Sequence, residues 1–244
     1  MKPTMVLMDR DYQRDTIREA AALDLRNVKA SSWEVILSTC KASDLRLYHI
    51  MIESVEGIER LQRTSRLSME WANKIKEITP VFQMVWLTYL FISDFPRLTN
   101  IKGIEALQQL TELYLTGNRG SLNPPLQMAS LEPIASLTSL EILTLSNIRL
   151  ENEDITFLAS LPKLRELYLS NRFERKQFAY LAKRLNPQLD TPISASTMAK
   201  MPCSKCGQSR FMFTGTRMPF LCKICDAEKF RKLTLQFEDL MAAS

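Results

Sequence analysis

Residues 110–118 read LTELYLTGN, and this stretch decides how the chain folds. Leu113 and Leu115 flank a single residue, Tyr114, which is the two-residue period of a strand with one buried face. Asn118 follows three positions after Leu115. A strand this short cannot bury its own apolar face, so the stretch predicts similar strands stacked side by side.

The leucine pair recurs through residues 23–169. With Leu113 as the marker, equivalent leucines lie 22 to 30 residues apart, and each is followed two positions later by a second apolar residue. The seven markers are Leu23, Leu45, Leu67, Leu90, Leu113, Leu143 and Leu167. This spacing predicts an α/β solenoid of about seven repeats, with a parallel sheet on its concave face and return segments that complete the core.

The kernel L-x-x-L-x-L-x-x-N is that of a leucine-rich repeat. Residues 98–118, LTNIKGIEALQQLTELYLTGN, resemble the short repeats of internalin-type and related bacterial proteins, and the resemblance covers about residues 20–172. It implies the solenoid fold and names no function. Only Asn118 occupies the asparagine position of the kernel, so we expect the usual ladder of buried asparagines to be shifted or lost. Polar residues stand one position earlier in four repeats: Asn27, Asp94, Asn147 and Asn171.

A different pattern begins at Cys203. The pairs Cys203-x-x-Cys206 and Cys222-x-x-Cys225 are separated by residues 207–221, and the spacing is that of a zinc site. The intervening RFMFTGTRMPFLC predicts a hairpin, so the whole stretch resembles a zinc ribbon. Zinc held by four cysteines keeps no open position for water, so a structural Zn²⁺ is predicted. Redox chemistry of the two pairs is the alternative.

These patterns divide the chain into four predicted segments. Helices are expected at residues 11–22 and 175–185, where they would cap the two ends of the solenoid. The insertion GNRGSLNPPLQM at 117–128 is predicted to be a loop on one rim. The segments are an N-terminal cap helix, the solenoid with its C-terminal cap helix, a linker, and the zinc ribbon with a C-terminal helix: 1–22, 23–185, 186–202 and 203–244.

The residue between the two leucines of each pair, and the residue directly after each pair, should point out of the concave face. Aromatic and arginine side chains on such a face are favoured interface anchors, because they bury much area at low entropic cost. The alternative is that aromatics simply suit strands. The candidate partner-binding residues are Arg46, Tyr48, Phe91, Tyr114 and Tyr168.

The composition disfavours catalysis, and no catalytic residue is predicted. His49 is the only histidine, and six glycines are few for phosphate-binding loops. Residues 1–15 lack the apolar run of a signal peptide, and no stretch is long and apolar enough to span a membrane. We therefore expect a cytoplasmic, non-enzymatic protein. The concave face predicts binding of an unidentified protein partner, and analogy with the repeat architecture suggests an adaptor or an immunity-type inhibitor.

The alternative function is a nucleic-acid-associated regulator. The net charge is +5, and residues 173–244 carry twelve Lys/Arg against six Asp/Glu, so the basic character belongs to the C-terminal part. Such charge around a ribbon could contact phosphates, although four metal-bound thiolates need some of it for compensation. The basic residues are Lys200, Lys205, Arg210, Arg217, Lys223, Lys229, Arg231 and Lys232.

Overall fold

The computed structural model describes residues 2–118 and 125–244. Its strands, in chain order, are β1 (Thr4–Leu7), β2 (Ala22–Val28), β3 (Asp44–Ile50), β4 (Arg66–Glu70), β5 (Tyr89–Ser93), β6 (Glu112–Thr116), β7 (Leu126–Met128), β8 (Ile142–Ser146), β9 (Ile148–Leu150), β10 (Glu166–Leu169), β11 (Ser196–Pro202), β12 (Ser209–Phe213) and β13 (Phe220–Cys222). The α-helices are α1 (Arg14–Glu19), α2 (Ala30–Thr39), α3 (Thr79–Phe82), α4 (Arg175–Leu185) and α5 (Ala227–Ala243). Short 3₁₀ helices lie at Ile58–Arg60, Ile104–Ala106, Glu132–Ser136 and Thr156–Ser160.

The main sheet has eight parallel strands in the order β1-β2-β3-β4-β5-β6-β8-β10. Its register sets the seven marker leucines opposite one another, from the Leu23–Leu45 pair at one end to the Leu143–Leu167 pair at the other. The predicted repeat alignment is therefore the strand register itself, and the chain has an α/β leucine-rich-repeat fold.

The core lies between this sheet and the return segments. Leu113 and Leu115 are 0% exposed, and so are Ile104 and Leu107 from the return segment that precedes them. Full burial of such a side chain contributes about 1.5–3 kcal/mol relative to exposure. Because every repeat buries its apolar residues against both neighbours, the repeats stabilise one another and no repeat stands alone.

The N-terminal end differs from the prediction. The expected cap helix over 11–22 is shortened to α1 (Arg14–Glu19), since β2 already begins at Ala22. Strand β1 pairs with β2 in parallel and adds an eighth strand to the sheet. Val6 and Met8 are buried there, so β1 covers the apolar edge that the cap helix was expected to cover.

The insertion at 117–128 is also not wholly a loop. Residues 119–124 lie outside the described part of the chain. Strand β7 (Leu126–Met128) pairs in parallel with β9 (Ile148–Leu150), and both its leucine and its methionine are buried. The last residues of the insertion thus belong to a second, two-stranded sheet.

The C-terminal part is more extensive than predicted. Helix α4 spans the predicted cap helix, and β12 and β13 form the predicted antiparallel hairpin. Part of the segment predicted as a linker forms β11, which pairs antiparallel with β12. The sequence STMAKMP of β11 has neither a regular apolar period nor a buried face, so only its pairing with β12 reveals it as a strand.

Candidate binding surface and metal centre

The middle of the concave face carries a cluster of aromatic rings. Phe91 and Tyr114 are neighbours across β5 and β6, with ring centroids 5.9 Å apart, and Tyr89 lies 5.4 Å from Tyr114. Tyr168 lies two strands further along, in register with Thr144 and 60% exposed. The structure therefore places Phe91, Tyr114 and Tyr168 on the surface where the two-residue period predicts them.

Arg46 and Tyr48 belong to an ionic network beside this cluster. Asp24, 5% exposed, accepts hydrogen bonds from Arg26 Nη2 at 2.8 Å and Arg46 Nη1 at 2.9 Å. Arg46 Nε also donates to Glu70 Oε1 at 2.7 Å. Both guanidinium groups lie over the Tyr48 ring, at 5.2 and 4.9 Å. Both predicted anchors are thus already held by internal contacts, which fixes their orientation before any partner arrives.

Three further residues of the same face are not among the predicted anchors. Arg66, Tyr89 and Glu112 occupy the outward position just before the first leucine of their repeats. The guanidinium of Arg66 lies 4.0 Å from the Tyr89 ring centre, and its Nη1 donates to Glu112 Oε1 at 3.0 Å. Extending the two-residue period by one step towards the N-terminus would have found them.

Tyr114 has an unusual electrostatic environment. Its hydroxyl donates to Glu112 Oε2 at 3.2 Å. Burial, which is the larger cause, and the negative charge of Glu112 together raise the pKa of Tyr114 to about 12. The phenol is therefore a neutral hydrogen-bonding group at ordinary pH and does not act as a base.

A ladder of left-handed residues runs along the rim where the strands end. In five of the seven repeats the asparagine position of the kernel holds a buried apolar residue, and the residue before it has a positive φ. The residues with positive φ in this column are Asn27 (59°), His49 (55°), Trp71 (56°), Asp94 (60°) and Asn147 (49°). The asparagine ladder is therefore shifted by one residue, and asparagine, aspartate and histidine tolerate this conformation better than most residues.

In the first half of the ladder each side chain contacts the next repeat. Asn27 Nδ2 donates to Asp9 Oδ1 at 3.0 Å, and His49 Nδ1 lies 2.7 Å from Asn27 Oδ1. The His49 ring stacks on Trp71, with 4.1 Å between the ring centroids and 19° between the planes. The only histidine thus has a structural role.

The second half of the ladder leads to the C-terminal module. Asn118 Nδ2 donates to Asp94 Oδ2, and Asn147 Nδ2 donates to the carbonyl oxygen of Asn118, both at 2.9 Å. Asn171 Nδ2 donates to the carbonyl oxygen of Phe213 at 2.7 Å. Asn171, which lies at the equivalent position of the last repeat, therefore contacts the predicted ribbon.

The four C-terminal cysteines form one cluster. The Sγ atoms of Cys203, Cys206, Cys222 and Cys225 all lie within 4.8 Å of one another, and those of Cys206 and Cys222 are 3.5 Å apart. A tetrahedral Zn–S distance of about 2.3 Å requires sulfur atoms roughly 3.8 Å apart, so this set has the dimensions to hold a metal ion. Asp226 Oδ2 accepts a hydrogen bond from the Cys222 backbone N–H at 2.8 Å, which fixes the second pair at the start of α5.

The backbone of the first cysteine pair favours a thiolate. The N–H groups of Lys205 and Cys206 are directed at the Cys203 sulfur and lower the pKa of that thiol to about 7. Gly207 has a φ of 73°, and its N–H donates to the carbonyl oxygen of Cys203 at 2.9 Å. This tight turn brings both sulfur atoms of the pair to the same side.

The ribbon is docked on the last repeat of the solenoid. The Thr216 N–H donates to the carbonyl oxygen of Phe173 at 2.8 Å, and the Gly215 N–H donates to Asn171 Oδ1. Phe237 of α5 is 2% exposed and belongs to the same buried core as the repeats. The ribbon and α5 therefore close the open end of the sheet, together with α4.

Arg175 is the polar centre of this docking. Its Nη1 donates to the carbonyl oxygen of Thr214 at 2.8 Å and its Nη2 to that of Leu233 at 2.6 Å. The guanidinium also lies 5.8 Å from the Phe213 ring centre and 5.1 Å from that of Phe237. Arg175 is half-buried, and this partial removal from water lowers the pKa of its guanidinium from the ordinary value.

Two basic residues of the ribbon are engaged internally. Lys223 Nζ lies 4.4 Å from the Phe211 ring centre, and Arg210 Nη2 donates to the carbonyl oxygen of Phe220 at 2.6 Å. Aromatic rings that already carry a lysine are poor platforms for bases. These contacts weaken the nucleic-acid alternative.

No protein-family model matches the chain, and no curated protein matches it. Solved structures similar to it include internalin C2 of Listeria monocytogenes, which is 23% identical over 63% of this chain and 60% of that protein, with a TM-score of 0.44. Internalin F of the same organism is 19% identical over 68% of this chain and 54% of that protein, with a TM-score of 0.47. The chain thus spans little more than half the length of these internalins. At such values the likeness carries no argument about function, and the fold rests on the strand pairing.

No helix in the part of the chain that the structure describes is both long enough and apolar enough to cross a membrane.

Proposed function

We propose that the protein is a non-enzymatic binding protein that recognises a partner protein on the concave face of its repeats. The observation that carries this proposal is the aromatic surface formed by Tyr89, Phe91, Tyr114 and Tyr168 on a sheet of eight hydrogen-bonded strands. Rigid aromatic side chains at the centre of a surface are typical hot-spot residues, and each can contribute about 2 kcal/mol or more to binding.

The mechanism is recognition by a pre-formed surface. Parallel strands fix the backbone, and neighbouring charges fix the side chains, as Glu112 does for Tyr114 and Arg66 does for Tyr89. Little side-chain freedom is left to lose on binding, so less of the interaction energy is spent on ordering. Such a protein could serve as an adaptor or as an inhibitor of the immunity type.

The cysteine cluster fits a structural zinc ion. Four thiolates satisfy tetrahedral Zn²⁺ completely and leave no position for a substrate or a reactive water. Zinc there would hold the two cysteine pairs together, and through them the hairpin and α5 that cover the last repeat. Cysteines that form no disulfide, and thiolates that bind a metal ion, fit a reducing compartment such as the cytoplasm.

Capture of partners by the purified protein tests the proposed function. Native cell lysate, with and without nuclease, is passed over three immobilised proteins: the wild type, the Tyr114→Ala/Tyr168→Ala variant and the Tyr180→Ala variant. Tyr180 lies on α4, where Arg184 covers its ring, so its substitution is a matched control away from the concave face.

We expect one protein to survive nuclease treatment, to remain with Tyr180→Ala and to be lost with the double variant. Capture that the double variant leaves intact would refute the concave-face proposal. A set of partners that nuclease removes, and that Arg217→Ala reduces, would instead favour nucleic-acid binding by the ribbon, with strong salt dependence.

A further inference from the structure

The rim ladder opens at one step into a groove. Between Trp71 and Asp94 no side-chain hydrogen bond continues the ladder in the described part of the chain, and a groove of about 390 Å³ lies there instead. Its lining is aromatic and polar: Tyr48, Glu70, Trp71, Ser93, Asp94 and Asn118. The groove adjoins the concave face, since Tyr48, Glu70 and Ser93 are sheet residues.

Trp71 gives the groove an exposed aromatic wall. Its side chain is 38% exposed, His49 stacks on it, and the Tyr48 ring meets it at 5.8 Å in an edge-on arrangement. These two contacts hold the indole in place beside the groove. A tryptophan ring is the aromatic surface that attracts cations most strongly.

Asp94 gives the groove a carboxylate that forms no ion pair with any residue in 2–118 or 125–244. Glu70 is neutralised by Arg46, whereas among the described residues Asp94 forms no ion pair, and its Oδ2 accepts only the amide hydrogen bond of Asn118. Partial burial raises the pKa of Asp94, because the desolvation of its charge outweighs the stabilising hydrogen bond from Asn118. A cation in the groove would remove that penalty.

We propose that this groove binds an arginine side chain of the partner protein. The guanidinium would lie against the Trp71 indole and donate to the Asp94 carboxylate, and these are the two kinds of contact that its planar, delocalised charge makes best. The proposal rests on the proposed protein-binding function and specifies the partner: a segment with an arginine that reaches the rim while the rest of the segment lies on the concave aromatic residues.

A small probe tests the groove without the partner. N-acetyl-L-arginine amide is titrated into the ¹⁵N-labelled protein, and the Trp71 indole N–H, assigned by its loss in Trp71→Phe, is followed by NMR. The neutral isostere N-acetyl-L-citrulline amide and a methyl glucoside are titrated in parallel. The variants are Asp94→Asn, which keeps a residue suited to the positive φ, and Asp9→Asn as a matched control at the far end of the ladder.

We expect the arginine probe to saturate the Trp71 shift with a Kd in the millimolar range, and the citrulline probe to bind at least about tenfold more weakly. Asp94→Asn should weaken binding of the arginine probe by a similar factor, and Asp9→Asn should leave its Kd unchanged. The proposal is overturned if citrulline equals arginine, if Asp94→Asn has no effect, if the glucoside alone saturates the shift, or if no probe does.

The two proposals can fail separately. If the Tyr114→Ala/Tyr168→Ala variant loses the partner but the groove does not bind the arginine probe, only the arginine-site proposal is refuted. If the groove binds the arginine probe but the double variant keeps its partner, the concave-face proposal is refuted.

Discussion

Arg175 donates through Nη1 to the carbonyl oxygen of Thr214 at 2.8 Å, and this bond joins the cap helix of the solenoid to the turn of the ribbon hairpin. The same guanidinium reaches the carbonyl oxygen of Leu233 in α5. One side chain therefore links three elements that are far apart in sequence, so the ribbon is part of the solenoid's end and not an appended module.

Arg175→Ala is expected to destabilise the protein by about 2 kcal/mol or more, because charge-assisted hydrogen bonds of this kind contribute about 1.5–3 kcal/mol each and the carbonyl groups lose their partner. Denaturant unfolding measures the loss. Lys176→Ala is the matched control, since its side chain is 71% exposed and forms an ion pair with the neighbouring Glu174. Equal stability of the two variants would show that Arg175 does not hold the ribbon in place.

Gly215→Ala is expected to destabilise the same junction. Gly215 has a φ of 114°, and a Cβ added there would lie 2.8 Å from the Cβ of Arg175. The cost combines an unfavourable backbone conformation with overpacking, about 2–4 kcal/mol in all. Gly207→Ala is the control, because its φ is 73° and nothing lies within 4 Å of the added Cβ. A thermal midpoint no lower for the Gly215 variant than for the Gly207 variant would contradict this prediction.

Metal removal is expected to loosen the C-terminal end first. Fresh protein should contain about one equivalent of zinc by elemental analysis, and Cys206→Ser should lower it, since a structural site needs all four ligands. After metal removal, amide hydrogen exchange should become faster in β12, β13 and α5, while the strands that contain Leu67 and Leu90 stay protected. The zinc proposal would be wrong if fresh protein contained no zinc. The capping role would be wrong if metal removal left amide hydrogen exchange in α5 unchanged.

Glu112→Gln is expected to lower the pKa of Tyr114 from about 12, but to leave it above the ordinary value, because burial is the larger cause of the shift. The raised pKa determines how the stability of the fold changes with pH. The neutral phenol stabilises the fold fully below about pH 10, the unfolded pKa, and this contribution is lost as the pH rises towards 12. Ultraviolet difference titration against Tyr114→Phe isolates this phenol. A pKa unchanged in Glu112→Gln would refute the role of the carboxylate.

Leu113→Ala is expected to cost about 2–5 kcal/mol, because the side chain is 0% exposed at the centre of the stack and its removal leaves a cavity. Leu169→Ala should cost less, since Leu169 is only partly buried at the end of the sheet. Urea unfolding of the two variants compares them. If Leu113→Ala lost less free energy of unfolding than Leu169→Ala, the prediction that the central repeats form the most tightly packed part of the core would be wrong.

Much of the repeat region follows from local sequence alone. Leu113 and Leu115 alternate with Tyr114, and alternation within a strand decides which side chains face the core regardless of the rest of the chain. The same rule would have found Tyr89 and Glu112 if it had been extended by one position. The cysteine spacing likewise brings four thiols together, because two short turns on a hairpin allow only a narrow range of geometries.

Other features depend on contacts between residues distant in sequence. Strand β1 and strand β11 have weak patterns of their own and exist because β2 and β12 offer unpaired backbone groups. The groove between Trp71 and Asp94 arises where two successive repeats meet, and the docking by Arg175 joins residues 39 and 58 positions apart. Periodicity over a few residues sets the repeats, the direction of their side chains and the cysteine cluster, so these features could be predicted before folding is considered. The closure of the two ends and the position of the groove on the rim depend on which distant surfaces bury each other, so they emerge only in the folded chain.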